Sequence, residues 1–148
     1  MINTNPNNYQ LFFEELFKYL KILNKIKEIE EFNIGYAHEG LYKDRIILPS
    51  YDEFGDVNFF VARSFSKWTK PKYLNPTAEK QYIIFNHNKI NFDATIYLVE
   101  GAFDHIVTPN SIPLLGKILT QKLKQLLLEN SKADVVVLLD DDAYYDAI

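Results

Sequence analysis

The sequence has 148 residues, of which 47% are apolar, and its formal net charge is −4 at pH 7. This balance predicts one ordinary folded domain or two small ones, and it excludes a uniformly basic surface, so any contact with nucleic acid would need a local basic patch. The lack of cysteine excludes a disulfide framework and a zinc ribbon within the sequence, and no apolar run approaches the length of a membrane span, which predicts a cytoplasmic protein without a membrane partner.

The first predicted element is an amphipathic helix that begins near Leu11. Its apolar residues recur at helical spacing and are Phe13, Leu16, Phe17, Leu20 and Leu23, while charged residues lie mostly on the opposite side. Such a helix could dock a partner, but we favour a helix that packs on its own domain. The charged stretch from Lys25 to Glu31 is expected to continue or follow it as a solvated helical face.

A β-hairpin is predicted next. The apolar run from Arg45 to Leu48 is expected to end at Pro49, residues 52–56 form a loop with a glycine that supplies positive φ, and residues 57–62 form the return strand. Arg45 and Arg63 are expected on neighbouring strands, with both guanidinium groups projecting to one surface. From the residues alone, structural salt bridges are a better interpretation of this pair than a binding role.

Residues 64–76 form a basic segment without any acidic residue. Cations and aromatic rings alternate within it, and they are Lys67, Trp68, Lys70, Lys72 and Tyr73. Such a segment can bind single-stranded nucleic acid, because cations follow the phosphates while rings stack on bases. An exposed loop whose aromatic residues cover the core explains the pattern equally well. Tyr82 to Phe85 is predicted as a further strand, followed by a turn at residues 86–88.

Two short apolar runs in the last third of the sequence each end in acidic residues. Thr95 to Val99 is followed by Glu100, and Asp134 to Leu139 is followed by three aspartates. Between the runs lie a predicted strand at 112–115 and a helical pattern of leucines at 119, 123, 126 and 127, as in a parallel β/α unit. The carboxyl ends of parallel strands face the same edge, where open α/β sheets bind ligands.

This arrangement predicts a cation site made of carboxylates. Asp140 and Asp142 point to the same side of a strand, about 7 Å apart, and their repulsion is best offset by a metal ion. Oxygen ligands without cysteine select Mg²⁺ or Mn²⁺ over zinc and suit a phosphate-containing substrate. Asp104 lies in the first turn of a predicted short helix, where it either stabilises the helix or supports the site. The three histidines lack metal-ligand spacing and are expected at the surface or in turns.

Glu100-Gly101 and Asp140-x-Asp142 resemble the two acidic motifs of the Toprim fold, which primases, topoisomerases and some nucleases share. Residues 115–120, Leu-Gly-Lys-Ile-Leu-Thr, resemble the Leu-Gly-Thr-x-Leu-Thr turn of bacterial-type primases, which also keep an acid at the position of Asp104. Upstream, further segments occur in the order that the primase RNA-polymerase domain shows. They are residues 32–37, residues 45–49, Gly55, Arg63 and residues 71–75. From about residue 19 to residue 148, the sequence is therefore similar to the catalytic core of bacterial or phage-type DNA primases.

The resemblance implies an α/β fold in two parts. Residues 1–92 would form a mixed α+β subdomain with a helix, a hairpin and the basic loop, and residues 93–148 a Toprim-like module with a parallel sheet. The module is incomplete after the Asp-x-Asp motif, and the family's zinc ribbon is not matched. A truncated protein, a naturally split or shortened phage protein, and a module that binds without catalysis are the three explanations.

The resemblance further implies metal-dependent RNA primer synthesis from NTPs on single-stranded DNA during replication, with a replicative helicase as a further partner. Glu100, Asp140 and Asp142 would hold Mg²⁺ or Mn²⁺, and Asp104 would support that catalytic site. The residues implied to bind template or nucleotide are Arg45, Arg63, Lys72, Tyr73, Asn75 and Lys80. One alternative is a non-catalytic nucleic-acid-binding or regulatory replication subunit. The other is a Toprim nuclease, against which the upstream basic residues argue.

Overall fold

The computed structural model describes residues 26–66, 68–116 and 118–139. The elements of these ranges are α1 (Ile26–Glu31), β1 (Gly35–Ala37), β2 (Arg45–Tyr51), β3 (Val57–Ser64), the 3-10 turns Lys80–Tyr82 and His87–Lys89, β4 (Ile96–Val99), α2 (Ala102–Val107), β5 (Ser111–Pro113), α3 (Gln121–Asn130) and β6 (Val135–Leu138). This mixture confirms the predicted α/β class. The amphipathic helix predicted from Leu11 to Leu23 lies outside the described residues.

The chain divides into two compact units. Of the described residues, those up to 49 and those from 60 to 77 form the first unit, and those from 50 to 59 and from 78 onward form the second. The division differs from the predicted boundary after residue 92, because the hairpin tip and residues 78–92 pack with the second unit. Two hydrogen bonds illustrate this packing: the Asn86 N–H donates to Ser50 Oγ over 2.9 Å, and Asn58 Nδ2 donates to the Ile84 carbonyl over 3.1 Å.

Strands β1, β2 and β3 form one sheet in that order. The first unit contains β1, residues 45–49 of β2 and residues 60–64 of β3. β1 pairs with β2 over residues 45–47, and Ile46 and Leu48 are fully buried. The prediction that β2 stops at Pro49 is wrong, because the strand continues to Tyr51. Pro49 lies beyond residues 45–47, which pair with β1.

The tip of the β2–β3 hairpin belongs to the second unit and has the predicted turn. Asp52 Oδ1 accepts hydrogen bonds from the N–H groups of Phe54 and Asp56, both at 2.9 Å. Gly55 has φ of +89°, a conformation that other residues rarely adopt. The side chain of Asp52 and the flexibility of Gly55 therefore close the loop that the sequence predicted.

The second unit is organised around a parallel sheet with strand order β5-β4-β6. Its apolar core consists of Ile84, Ile96, Leu98, Ile112, Leu114, Leu123 and Leu127. Helix α3 contributes Leu123 and Leu127 and is capped at its start by Thr120, whose Oγ1 accepts a hydrogen bond from the Leu123 N–H over 3.3 Å. The predicted parallel β/α unit is thus present.

Two strand predictions for the second unit are wrong. Residues 82–85 do not form a strand: Lys80–Tyr82 is a 3-10 turn, and Ile84 and Phe85 fill the core from irregular backbone. β6 exists, but it is not buried, since Val135, Val137 and Leu138 are 38%, 40% and 47% exposed. It lies at the edge of the described sheet, with β4 as its partner. None of the helices in the described ranges has the length and apolar character needed to cross a membrane.

Candidate functional site

The acidic turn, which we define as residues 100–104, joins β4 to α2. β4 and β6 run parallel with Val99 opposite Leu138, so both strands end at the same edge and Glu100 follows directly at that edge. Glu100 Oε2 is shielded from solvent and has no hydrogen-bond partner in the described part of the chain. An ionised oxygen in this state is costly to bury, and a bound cation would offset the cost.

Asp104 is exposed and its carboxylate closes the acidic turn. Asp104 Oδ2 accepts a hydrogen bond from the Gly101 N–H over 3.0 Å, which caps α2. A Cβ atom at position 101 would lie 3.1 Å from this oxygen, so glycine permits the close approach. The capping interpretation of Asp104 is therefore realised in the structure, and its part in catalysis stays a prediction.

The second acidic motif lies outside the described residues. Asp140 follows β6 by two residues in the sequence, and Asp142 follows by four. Among the residues that are described, there is no group of three His, Cys, Asp or Glu side chains suited to a metal ion. The joint metal site of Glu100, Asp140 and Asp142 accordingly stays a prediction.

Arg45 is buried in the first unit, where it donates a hydrogen bond to the backbone of the basic segment. Only 3% of the residue is exposed, and its two terminal nitrogens donate to the carbonyls of Lys43 and Pro71, both at 3.0 Å. These hydrogen bonds tie the start of β2 to a segment 26 residues later. Arg45 thus has a structural function, and its contact with nucleic acid stays a prediction.

The basic segment runs back beside β3, where the ring of Tyr73 lies close to two cations. The Ser64 N–H donates to the Lys72 carbonyl over 2.8 Å, and Arg63 and Tyr73 form an antiparallel bridge. The Arg63 guanidinium carbon lies 5.4 Å from the centre of the Tyr73 ring, and Lys72 Nζ lies 5.8 Å from it. Tyr73 is 41% exposed and Lys72 is exposed, whereas Arg63 is half-buried beside the ring.

The remaining predicted binding residues have different settings. Asn75 Oδ1 accepts a hydrogen bond from the Ala62 N–H over 3.1 Å, so its amide fastens the segment to β3. Trp68 is 89% exposed, as expected for a stacking residue, and it was not among the predicted site residues. Lys80 is exposed and belongs to the second unit. Lys67 lies outside the described residues.

His105 corrects the expectation that the histidines lie at the surface or in turns. It is 5% exposed, on the face of α2 that also buries Ala102, Phe103 and Ile106. Burial lowers its pKa from 6.5 to about 4, and the positive charge of Lys89 acts in the same direction. The helical spacing of the neighbouring apolar residues is the signal from which this burial could have been predicted.

Comparison with known proteins gives one sequence relative and a group of similar structures. No family model matches the chain. A DNA primase of Mycoplasma pneumoniae (strain ATCC 29342 / M129 / Subtype 1) is 32% identical in an alignment of 125 residues that covers 75% of this chain and 20% of that protein. The chain therefore spans about a fifth of the length of this curated relative.

The similar structures are primase catalytic cores. The zinc-binding and RNA-polymerase domains of the Aquifex aeolicus primase match 93% of this chain and 43% of that chain, with a TM-score of 0.72 and 24% identity. A DnaG primase catalytic domain bound to single-stranded DNA matches 97% of this chain and 60% of that chain, with a TM-score of 0.74 and 19% identity. The E. coli primase catalytic core has a TM-score of 0.61 at 22% identity, over 97% of this chain and 46% of that one. At these identities the matches establish a shared fold.

Proposed function

We propose that this chain, which contains a core domain of the bacterial DNA primase type, takes part in making RNA primers during DNA replication. The reaction would transfer a nucleotide to a 3′-hydroxyl on a single-stranded DNA template, with pyrophosphate as the leaving group. The observation that carries the proposal is the parallel pairing of β4 and β6, which ends with Val99 opposite Leu138 and leads directly into Glu100. Because Asp140 follows Leu138 by two residues, we assign both acidic motifs to one site.

The donor set fits a hard divalent cation, Mg²⁺ or Mn²⁺. The shielded Glu100 oxygen without a hydrogen-bond partner in the described chain is the structural support for such an ion. We assign Glu100, Asp140 and Asp142 as its ligands, because carboxylate oxygens select these cations. When bound, the metal would neutralise charge on the phosphoryl oxygens of the substrate. Asp104 would hold the acidic turn in shape through its hydrogen bond to the Gly101 N–H.

The basic segment of the first unit would bind the template strand. The Arg63 guanidinium carbon and Lys72 Nζ lie 5.4 and 5.8 Å from the centre of the Tyr73 ring, so the cations would contact phosphates while the ring stacks on a base. We assign a supporting role to Arg45 and Asn75, which hold the segment through its backbone.

Further partners follow from the same role. Lys80 would contact a nucleotide phosphate in the second unit, where it is exposed to solvent. NTPs would be the substrates, a replicative helicase would be a further partner, and the protein would act in the cytoplasm.

Primer synthesis by the chain itself tests the proposal. The chain is incubated with single-stranded DNA, Mg²⁺ and labelled NTPs, and the products are resolved on a denaturing gel. The matched control is Asp134→Ala, which removes an exposed carboxylate just before β6 while its backbone carbonyl still accepts from the Ile96 N–H. We expect products from the wild type and the control, and a loss of at least about a hundredfold in Asp140→Ala/Asp142→Ala. A wild type without products, or a fully active double variant, would refute the catalytic proposal.

A nucleic-acid-binding subunit is the second candidate, and the Tyr73 surface favours it because this surface needs neither acidic motif. Its outcome is binding of a labelled single strand in EDTA together with no dinucleotide when NTPs and Mg²⁺ are supplied. The same gel separates the third candidate, a Toprim nuclease, since cleavage shortens a labelled DNA strand.

A further inference from the structure

Four buried polar residues form a hydrogen-bonded chain through the second unit, in which Asn86 takes part with both its backbone N–H and its side-chain amide. Its members are Ser50, Asn86, His105 and Ser111, and each is at most 5% exposed. The Asn86 N–H donates to Ser50 Oγ over 2.9 Å, Asn86 Nδ2 lies 3.1 Å from His105 Nε2, and His105 Nδ1 lies 3.0 Å from Ser111 Oγ. The chain joins the end of β2, the turn before the second 3-10 segment, helix α2 and the start of β5.

The direction of each hydrogen bond follows from one backbone donor. The Tyr51 N–H donates to Asn86 Oδ1 over 3.2 Å, so the oxygen side of this amide faces β2 and the nitrogen side faces His105. His105 Nε2 must therefore accept, and its Nδ1–H must donate to Ser111 Oγ. Ser111 Oγ in turn donates to the Thr108 carbonyl over 2.7 Å. The chain requires a neutral imidazole with the proton on Nδ1.

The environment of His105 supports that state. The imidazole packs edge-on against Phe85 with ring centres 5.7 Å apart, and burial disfavours its charged form. The positive charge of Lys89 also disfavours a second positive charge there. Both nitrogens are therefore committed to structural hydrogen bonds and are not available as a general base.

The chain of hydrogen bonds contacts α2. The first residues of this helix are the last residues of the acidic turn. α2 has six residues, which is too short for a helix to be stable without tertiary contacts. His105 lies one residue after Asp104, and Ser111 Oγ contacts the Thr108 carbonyl just after the helix. The two nitrogens of His105 thus link α2 to Asn86 and to Ser111, which both lie outside the helix.

We propose that His105 is a positioning residue for the acidic turn, acting through α2. The proposal rests on the proposed function, in which Glu100 holds the metal and Asp104 shapes the turn. It adds a residue outside both acidic motifs and assigns it one tautomer. A displacement of about 1 Å at a catalytic group is enough to reduce a rate about a hundredfold, so loss of the positioning contacts would be visible in kcat.

The tautomer is tested by the ¹⁵N spectrum of the imidazole in the full 148-residue chain. We expect the His105 signals of a neutral ring with the proton on Nδ1 at pH 7. An Nε2–H tautomer or an imidazolium at that pH would overturn the proposal.

The positioning role is tested with His105→Phe, which keeps an aromatic ring and removes both hydrogen bonds, and with His105→Gln, which can restore one of them. Leu127→Ala is the control, because it damages the core of the same unit, where Leu127 is 8% exposed, without touching the hydrogen-bonded chain. We expect the Gly101 and Asp104 amide resonances to move in His105→Phe, to move less in His105→Gln, and to stay unchanged in Leu127→Ala. Unchanged Gly101 and Asp104 resonances in a folded His105 variant would overturn the proposal, whether or not the chain makes primers.

The kinetic measurement separates this proposal from the proposed function. We expect His105→Phe to lower kcat for primer synthesis about tenfold to a hundredfold, with less than about a threefold change in KM for NTPs, and His105→Gln to recover part of the loss. An equal loss in Leu127→Ala would reduce His105 to a general stability role. A wild type that makes no primer counts against the proposed function, and the amide resonances still decide whether His105 positions the turn.

Discussion

Acidification should destabilise the second unit through His105. Since the pKa of His105 is lowered to about 4 in the folded protein and is 6.5 for an ordinary histidine, only the unfolded chain takes up this proton between these values. Stability from this group is therefore fully present above pH 6.5 and is lost as the pH falls to about 4. The full difference corresponds to roughly 3 kcal/mol, of which about 2 kcal/mol is lost by pH 5.

The measurement is urea denaturation followed by circular dichroism at several values between pH 7.5 and pH 5. We compare the wild type with His105→Gln, which cannot titrate, and with His38→Gln, which removes a partly exposed histidine of the first unit. The wild type and His38→Gln should lose about 2 kcal/mol over this range, while His105→Gln should begin less stable and lose much less. An identical pH dependence in His105→Gln and the wild type would refute the assignment of a buried neutral imidazole.

Three further predictions concern binding and stability. Tyr73→Ala should weaken single-stranded DNA binding by about 1 to 3 kcal/mol in a fluorescence anisotropy titration. The control Tyr82→Ala removes a 60% exposed ring of the second unit and should bind with the affinity of the wild type. Equal affinities of the two variants would exclude stacking at Tyr73. Arg45→Ala should cost about 2 to 4 kcal/mol in urea denaturation, since it leaves the Lys43 and Pro71 carbonyls without their donor; a near-neutral effect would contradict the structural role of this guanidinium. Leu98→Ala should cost about 2 to 5 kcal/mol because the residue is 3% exposed in the core, and Leu128→Ala, at a 77% exposed position, should change stability by less than about 0.5 kcal/mol; comparable costs would contradict the described packing.

Local patterns predicted most of the second unit correctly. The apolar runs that became β4 and β6, the leucine spacing of α3 and the glycine in the loop after β2 are features of short stretches, and short stretches determine local conformation. The parallel pairing was also predictable, because a strand, a helix and a second strand of these lengths leave few other topologies. The fold class and the resemblance to primase cores are confirmed on this basis, by the described elements and by the similar structures.

Only part of the predicted site lies within the described residues. Glu100 lies at the end of β4 as expected, and the ring of Tyr73 lies close to Arg63 and Lys72. Asp140 and Asp142 lie outside the described residues, so the assembly of the two acidic motifs stays a prediction. The sequence pattern indicated the residue types that this chemistry needs. It cannot indicate whether a side chain is already engaged in hydrogen bonds to backbone groups of the same chain.

The sequence by itself determined the acidic ends of two strands, the basic segment and the α/β class, because each of these depends on residues that are close together in the sequence. Only the tertiary structure decided that Arg45 is buried and donates to the Pro71 carbonyl, and that His105 meets Asn86 and Ser111 inside the second unit. These contacts join residues up to 26 positions apart, and the energy of a buried polar group depends on which partner arrives from elsewhere in the chain. The spacing of the apolar residues in α2 indicates a buried face, but it does not indicate which polar groups from other segments His105 meets there.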